Sequence, residues 1–198
     1  MRTGRGRARS VCARRPNGHP PDGFESRVDT DWLLIMFSLN DKTIRDSFVN
    51  ASRKELSDLT LPADFAEIDW AKLDYFGWND PKRPRRAYVV VPVGDVAVGV
   101  LLRRADTKPA SRAQCSWCQD VQLPNDVVFF SARRAGAAGR NGDTVGTLVC
   151  SEFECSRNVR KRPTMAYIGF DIEAARLDRI ASLQIRAASF AEDISATA

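Results

Sequence analysis

The chain has 198 residues, a length that suits one domain with extensions, and its 43% apolar content is enough to bury a real core. It contains no uninterrupted apolar run of about 18 residues, so no membrane-spanning helix is expected. The formal charge of +5, from 30 basic and 25 acidic residues, is too mild for bulk charge to argue for nucleic acid, and any such role must rest on local clusters.

Residues 1–35 read as a basic extension without a fold of its own. Arg2, Arg5, Arg7, Arg9, Arg14, Arg15 and Arg27 stand against Asp22, Glu25, Asp29 and Asp31. The stretch from Arg2 to Asp22 is too poor in large apolar side chains to offset its ordering entropy. A basic start also suits an export signal. The apolar segment that follows, Trp32–Phe37, is shorter than the 7–15 residues such a signal needs, so a cytoplasmic protein is expected. Met36 opens sequence of ordinary helix-and-strand character, which suggests a start of translation there.

The spacing of Ile44, Phe48, Ala51 and Leu56 predicts a helix over residues 41–58, capped by Asn40 or Asp41. Between Pro62 and Trp78 the pattern predicts a short helix, and Phe65, Ile68, Trp70, Leu73, Tyr75, Phe76 and Trp78 form an aromatic corner of the core. Residues 36–78 are thus taken as a helical N-terminal segment. Residues 79–86 read as a basic turn. The runs 87–93 and 96–102 then predict a β-hairpin with Gly94 in its turn. Strands follow at 127–131 and 144–149, separated by a flexible glycine-rich basic loop at 133–143. A helix over 152–161 is stopped by Pro163. In the final segment, 166–198, Ile172, Ala175, Ile180, Leu183, Ala187, Phe190 and Ile194 define the stripe of an amphipathic helix.

Four cysteines carry the chemistry. Cys115 and Cys118 form a C-x2-C pair, and Cys150 and Cys155 a C-x4-C pair. A C-x2-C turn sets two thiolates on one side of a tight loop, at a separation a tetrahedral ion needs. The second pair fits a strand end followed by a helix start, where amide dipoles favour thiolate. The order of knuckle, hairpin and helix-start ligands is that of a treble-clef finger, and it points to one structural zinc ion. Two disulfides would need an oxidising compartment, and a thioredoxin-like redox site needs only one pair. An iron–sulfur cluster would use the same four ligands. Cys12 falls in the extension and is set apart. Four thiolates close the coordination sphere and leave no water to activate. His19 is the one histidine, and no phosphate-binding loop ends in Lys-Ser or Lys-Thr, so neither an enzyme nor a small-molecule substrate is expected.

The run CSWCQDVQLPNDVVFFSARRAGAAGRNGDTVGTLVCSEFECSRNVR resembles the C-terminal treble-clef zinc finger of the FBP family, the elongation-factor-G-binding proteins of the fusidic-acid-resistance type. LDYFGWNDPKRPRRAYVVV and SFVNASRKEL resemble shorter members of the same family. The likeness covers about residues 36–165. It implies an α+β fold in which the finger, over residues 79–165, packs with a small antiparallel sheet and flanking helices. It also implies binding to elongation factor G and help in its release from the ribosome. The long N-terminal helical domain of resistance members is reduced here to one helix and a short segment.

Basic residues beside the cysteines suit an acidic partner. Arg133, Arg134 and Arg140 lie on the glycine loop, and Arg157, Arg160, Lys161 and Arg162 follow Cys155. Sharing one metal is expected to bring loop and helix into a single surface, although runs of charge are also ordinary solvent faces. Elongation factor G is the expected partner. Direct binding of RNA or the ribosome is the alternative, and Trp117 and Phe153 are the finger's candidate stacking rings for it.

Overall fold

The dense β-branched run from Ala87 to Val93 becomes an inner strand of an antiparallel sheet in the computed structural model, which describes residues 36–106, 113–120, 126–164 and 167–196. The readings made of residues 1–35, including Cys12, His19 and the export signal, lie outside the described residues. Five strands, β1 (Phe76–Asn79), β2 (Arg86–Val93), β3 (Val96–Arg104), β4 (Val127–Arg133) and β5 (Thr144–Cys150), pair antiparallel in chain order. The predicted hairpin is present: Val93 pairs with Val96 across a two-residue turn in which Gly94 takes φ +56°.

Strand alternation divides the core into two faces. Ala87, Val89, Val91, Val98, Val100 and Leu102 point to one side, with Val128, Phe130 and the four cysteines. The helix α5 (Ile172–Ser195) buries Ile180, Leu183, Ala187, Phe190 and Ile194 on that face, as the stripe predicts, whereas Ile172 and Ala175 at its start stay half-exposed. Tyr88, Val90 and Leu101 point to the other side, where Met36, Leu39, Ile44, Leu59, Phe76 and Trp78 cover them. The aromatic corner is therefore core. Phe76 stacks on Trp78, and Trp78 on Tyr88, with centroids 4.6 and 5.1 Å apart. Among the described residues no helix is long and apolar enough to cross a membrane.

The helix expected over 41–58 is broken into α1 (Asp41–Ser47) and α2 (Arg53–Ser57). Tertiary hydrogen bonds outcompete the helical ones between them. Val49 N donates to Gly99 O at 3.0 Å, and Phe48 makes a parallel bridge to Gly99. Strands β3 and β4 pair only at Arg103–Ser131 and Arg104–Phe130. Beyond that point the Asn50 amide fills the opening. It donates to Leu101 O and Arg133 O at 3.1 and 2.9 Å and accepts from Leu101 N at 2.8 Å. Ser52 then restarts the helix with a capping box to Glu55. Replacing Asn50 with alanine orphans these backbone groups, and urea unfolding of the variant should show a loss of about 2 kcal/mol.

Other expectations are corrected in the same way. The segment 62–78 holds two 3-10 turns, Phe65–Glu67 and Trp70–Lys72, and then strand β1, because Phe76 and Trp78 pair through the backbone with Val90 and Tyr88. The glycine loop contains a short helix, α3 (Gly136–Arg140), whose Gly139 lies so close to Arg134 O that an added Cβ would sit 1.7 Å away. The helix after Cys150, α4, spans only Cys155–Val159, since 151–154 form a turn.

Candidate metal centre

The four cysteines come from three separate places. Cys115 and Cys118 flank a turn held to β5 by Ser116 N donating to Leu148 O at 2.7 Å. Cys150 ends β5, and Cys155 begins α4. All four are buried, and their sulfurs lie within 4.8 Å of one another. The separations are 3.6 Å for Cys115–Cys155 and 3.7 Å for Cys118–Cys150. Tetrahedral zinc with bonds of about 2.3 Å requires sulfur–sulfur edges of about 3.8 Å, so the donor set and its size both fit zinc. A disulfide would bring two sulfurs to about 2.0 Å, and all four cysteines are free.

The crowding shows why a cation belongs here. Without one, hydrogen bonds from Cys118 and then Cys150 pull the Cys115 thiol far below its usual range, while the bond shared with Cys115 pushes Cys155 far above. Four thiolates in this space require a positive charge at their centre. Burial, followed by the charge of Cys155, also raises the Tyr75 hydroxyl well above its ordinary value.

Side chains near and far in sequence hold the ligands in place. Asn158, fully buried, donates from Nδ2 to Cys150 Sγ at 3.6 Å. Trp117, between the first two ligands, packs edge-on against Tyr75 at 4.8 Å and also meets Phe190 of α5. Tyr75 donates to Phe153 O at 3.3 Å. Phe153 takes φ +57°, uncommon for a bulky residue, and its ring lies so close to Gly77 that a Cβ there would come within 2.7 Å. Arg179 reaches Asp120 at 3.1 Å and the carbonyl of Asn158 at 3.0 Å, and Arg186 donates to Trp117 O at 3.1 Å. Most of these contacts escaped the sequence reading because they join residues far apart in the chain, as Tyr75 does with Phe153 and Arg186 with Trp117. Trp117 and Phe153 are buried, which removes them as exposed stacking rings.

The basic residues do not form one surface. The β4–β5 ladder runs from Val127–Cys150 at the metal end to Arg133–Thr144 at the other, so the loop arginines stand about 20 Å from the cysteines by strand rise. Arg160 is turned inward to the fully buried Asp74, with Nη2–Oδ1 at 3.1 Å. Arg134 is paired with Asp193 at 2.8 Å and Arg133 with Glu55 at 3.3 Å. Near the metal, Arg157, Lys161 and Arg162 remain exposed, with Arg157 3.6 Å from Glu154. At the far end Arg140 is exposed and has no ion pair among the described residues.

The family model described as the FBP C-terminal treble-clef zinc-finger matches residues 43–194. No curated protein sequence matches the chain. Among solved structures, the fusidic acid resistance protein FusC is similar at 23% identity and a TM-score of 0.40, over 55% of this chain and 52% of that one. The chain therefore spans about half the length of that protein, and a likeness at this TM-score adds nothing to the assignment.

Proposed function

The chain belongs to the FBP family of C-terminal treble-clef zinc fingers, and from that premise we propose that it is a zinc-stabilised binding protein of the translation machinery whose partner is elongation factor G. The family match carries this reading, because it spans the sheet, the metal unit and most of α5. The closed sulfur site agrees with a binder: four thiolates saturate zinc, so the ion is scaffold and not catalyst. The contact would lie at the metal end, where Arg157, Lys161 and Arg162 are exposed on and just after α4. They offer donors for the carboxylates of a protein partner. A binder changes the ribosome-bound state of such a factor only by preferring one of its conformations. Its place of action on this reading is the cytoplasm, and it needs no small-molecule substrate.

The test is capture of purified elongation factor G by the zinc-loaded chain, at low salt and after nuclease treatment. The factor should be retained, and reversing Arg157, Lys161 and Arg162 together to glutamate should weaken the association by about tenfold or more. A clean absence of capture by the unaltered protein counts against the reading.

A further inference from the structure

The face of the sheet turned away from the metal is covered over β1 to β3, but it emerges at the β4–β5 end. Register places Arg86 beside Arg103, Arg103 beside Ser131, and Ser131 beside Gly146, so these four form a row across the sheet. Phe129 and Arg133 flank Ser131 along β4 and share its face. The Phe129 ring lies over Gly146, where an added Cβ would come within 2.4 Å of it, and the residue is 43% exposed. One side of the ring rests on the sheet and the rest meets solvent.

Positive charge lies along the same face, from Arg103 opposite Ser131 towards Arg133. Arg103 and Arg133 have 57% and 40% of their side chains exposed. Both approach Glu55, as does Arg86, at 3.8, 3.3 and 3.9 Å respectively. Burial works against the Glu55 charge, but hydrogen bonds from Ser52 and the fields of Arg133 and Arg86 hold its carboxyl below the ordinary value. It therefore stays ionised, yet one carboxylate among three guanidinium groups leaves a local excess of positive charge. Beyond Arg133 the surface dips into a pocket of about 260 Å³ lined by Asn50, Ser52, Arg133, Arg134 and Arg140. Arg133, two residues along β4 from Ser131, thus links the row to the pocket. Phe129 and Arg133 are about 13 Å apart by strand rise.

We propose that this face, from Phe129 to the Arg140 pocket, binds single-stranded RNA, with a base stacked on Phe129 and backbone phosphates held by Arg103, Arg133 and Arg140. The surroundings of the ring favour RNA over a protein partner. A protein interface packs an apolar centre around its aromatic anchor. Here the ring's cross-strand partner Leu148 and its strand neighbour Val127 are both half-buried, and the rest of the face, Ser131, Gly146, Thr144 and the arginines, is polar, so little apolar surface is left for a protein partner. A flat ring on a sheet beside cations is the arrangement that accepts an unpaired base and its phosphates. This surface is separate from the metal end, so the proposal does not rest on binding to elongation factor G.

Fluorescence anisotropy with a labelled 12-nucleotide single-stranded RNA and the zinc-loaded full chain tests it. Three phosphate contacts should give a log K against log salt slope of about −2, and Arg103→Gln or Arg140→Gln should each reduce that slope by about 0.7. Phe129→Leu keeps an apolar cover over Gly146 but removes the π-face, and it should weaken binding by about five- to a hundredfold. Phe129→Trp should retain binding, and the Leu variant should melt at the temperature of the unaltered protein. Absence of binding at low salt, equal affinity for duplex RNA, or unchanged affinity in Phe129→Leu would each overturn the proposal. Loss of elongation factor G capture in Phe129→Leu, without any RNA binding, would make the face a protein-docking surface and overturn it equally.

Discussion

Stripping the metal from this protein is expected to unfold the layer of the core that contains α4, α5 and the knuckle. The four ligands lie at the end of β5, the start of α4 and a turn otherwise tied to β5 by one backbone bond. Structural zinc in small fingers contributes on the order of 10–16 kcal/mol of binding free energy, as much as the whole stability of a typical domain, about 5–15 kcal/mol. Trp117 sits between Cys115 and Cys118 and is packed on Tyr75 and Phe190, so the knuckle's conformation and the seating of α5 are coupled. Cys115→Ser and Cys155→Ser should both give chains that bind no zinc and lose the near-ultraviolet dichroism of the Trp117 environment. Metal analysis of the unaltered protein should find about one zinc per chain. A graded result is expected at Asn158, whose amide donates to Cys150. Its alanine variant should fold but hold zinc about ten- to a hundredfold more weakly in a chelator competition. An unfolding curve that does not move when the metal is removed would mean that the sulfur tetrahedron is not a staple.

The metal ligands were legible in the sequence because their signal is local: two short spacings define two turns, and the chemistry of thiolate does the rest. The β2–β3 hairpin was legible for a similar reason, since Ala87–Val93 can satisfy its side chains only when buried on both faces. The break in the 41–58 helix was not. Nothing within those residues forbids helix at Phe48–Asn50, and the deciding groups are the carbonyls of Gly99 and Leu101 about 50 positions away. The short helix in the glycine loop was hidden because glycine reads as freedom, whereas Gly139 is required by close contact with Arg134. The arginines illustrate the same limit from the side of function. Arg157 and Arg160 look equivalent on paper. Only the fold shows that Asp74 draws Arg160 inward while Arg157 stays in solvent, and that Phe129 emerges where Phe130, its neighbour, is buried.

The second large effect is expected at Asp74. Its side chain is fully buried just before β1, and the residue joins two other elements, α4 and α5. Arg160, just past the end of α4, reaches both of its oxygens, Gln184 of α5 donates to Oδ1 at 2.9 Å, and its own backbone N donates to Ser156 Oγ at 3.0 Å. The carboxylate is thus the point where α4, α5 and the approach to β1 are fastened together, directly behind Cys155. Removing one partner of a buried ion pair costs about 3–5 kcal/mol, because the other is left uncompensated. Arg160 retains 28% side-chain exposure and can turn partly toward water, which places Asp74→Ala near the lower end, about 3 kcal/mol. For a chain of this size that corresponds to a fall in melting temperature of about 6–12 °C. The decisive comparison is with Asp74→Leu combined with Arg160→Met, which replaces the pair by apolar groups of similar volume. If the loss in Asp74→Ala arises from a stranded guanidinium, the double variant should recover most of it. If both variants are equally unstable, the contribution of the Asp74 side chain lies in its bond to Gln184, and Arg160 is dispensable to the fold.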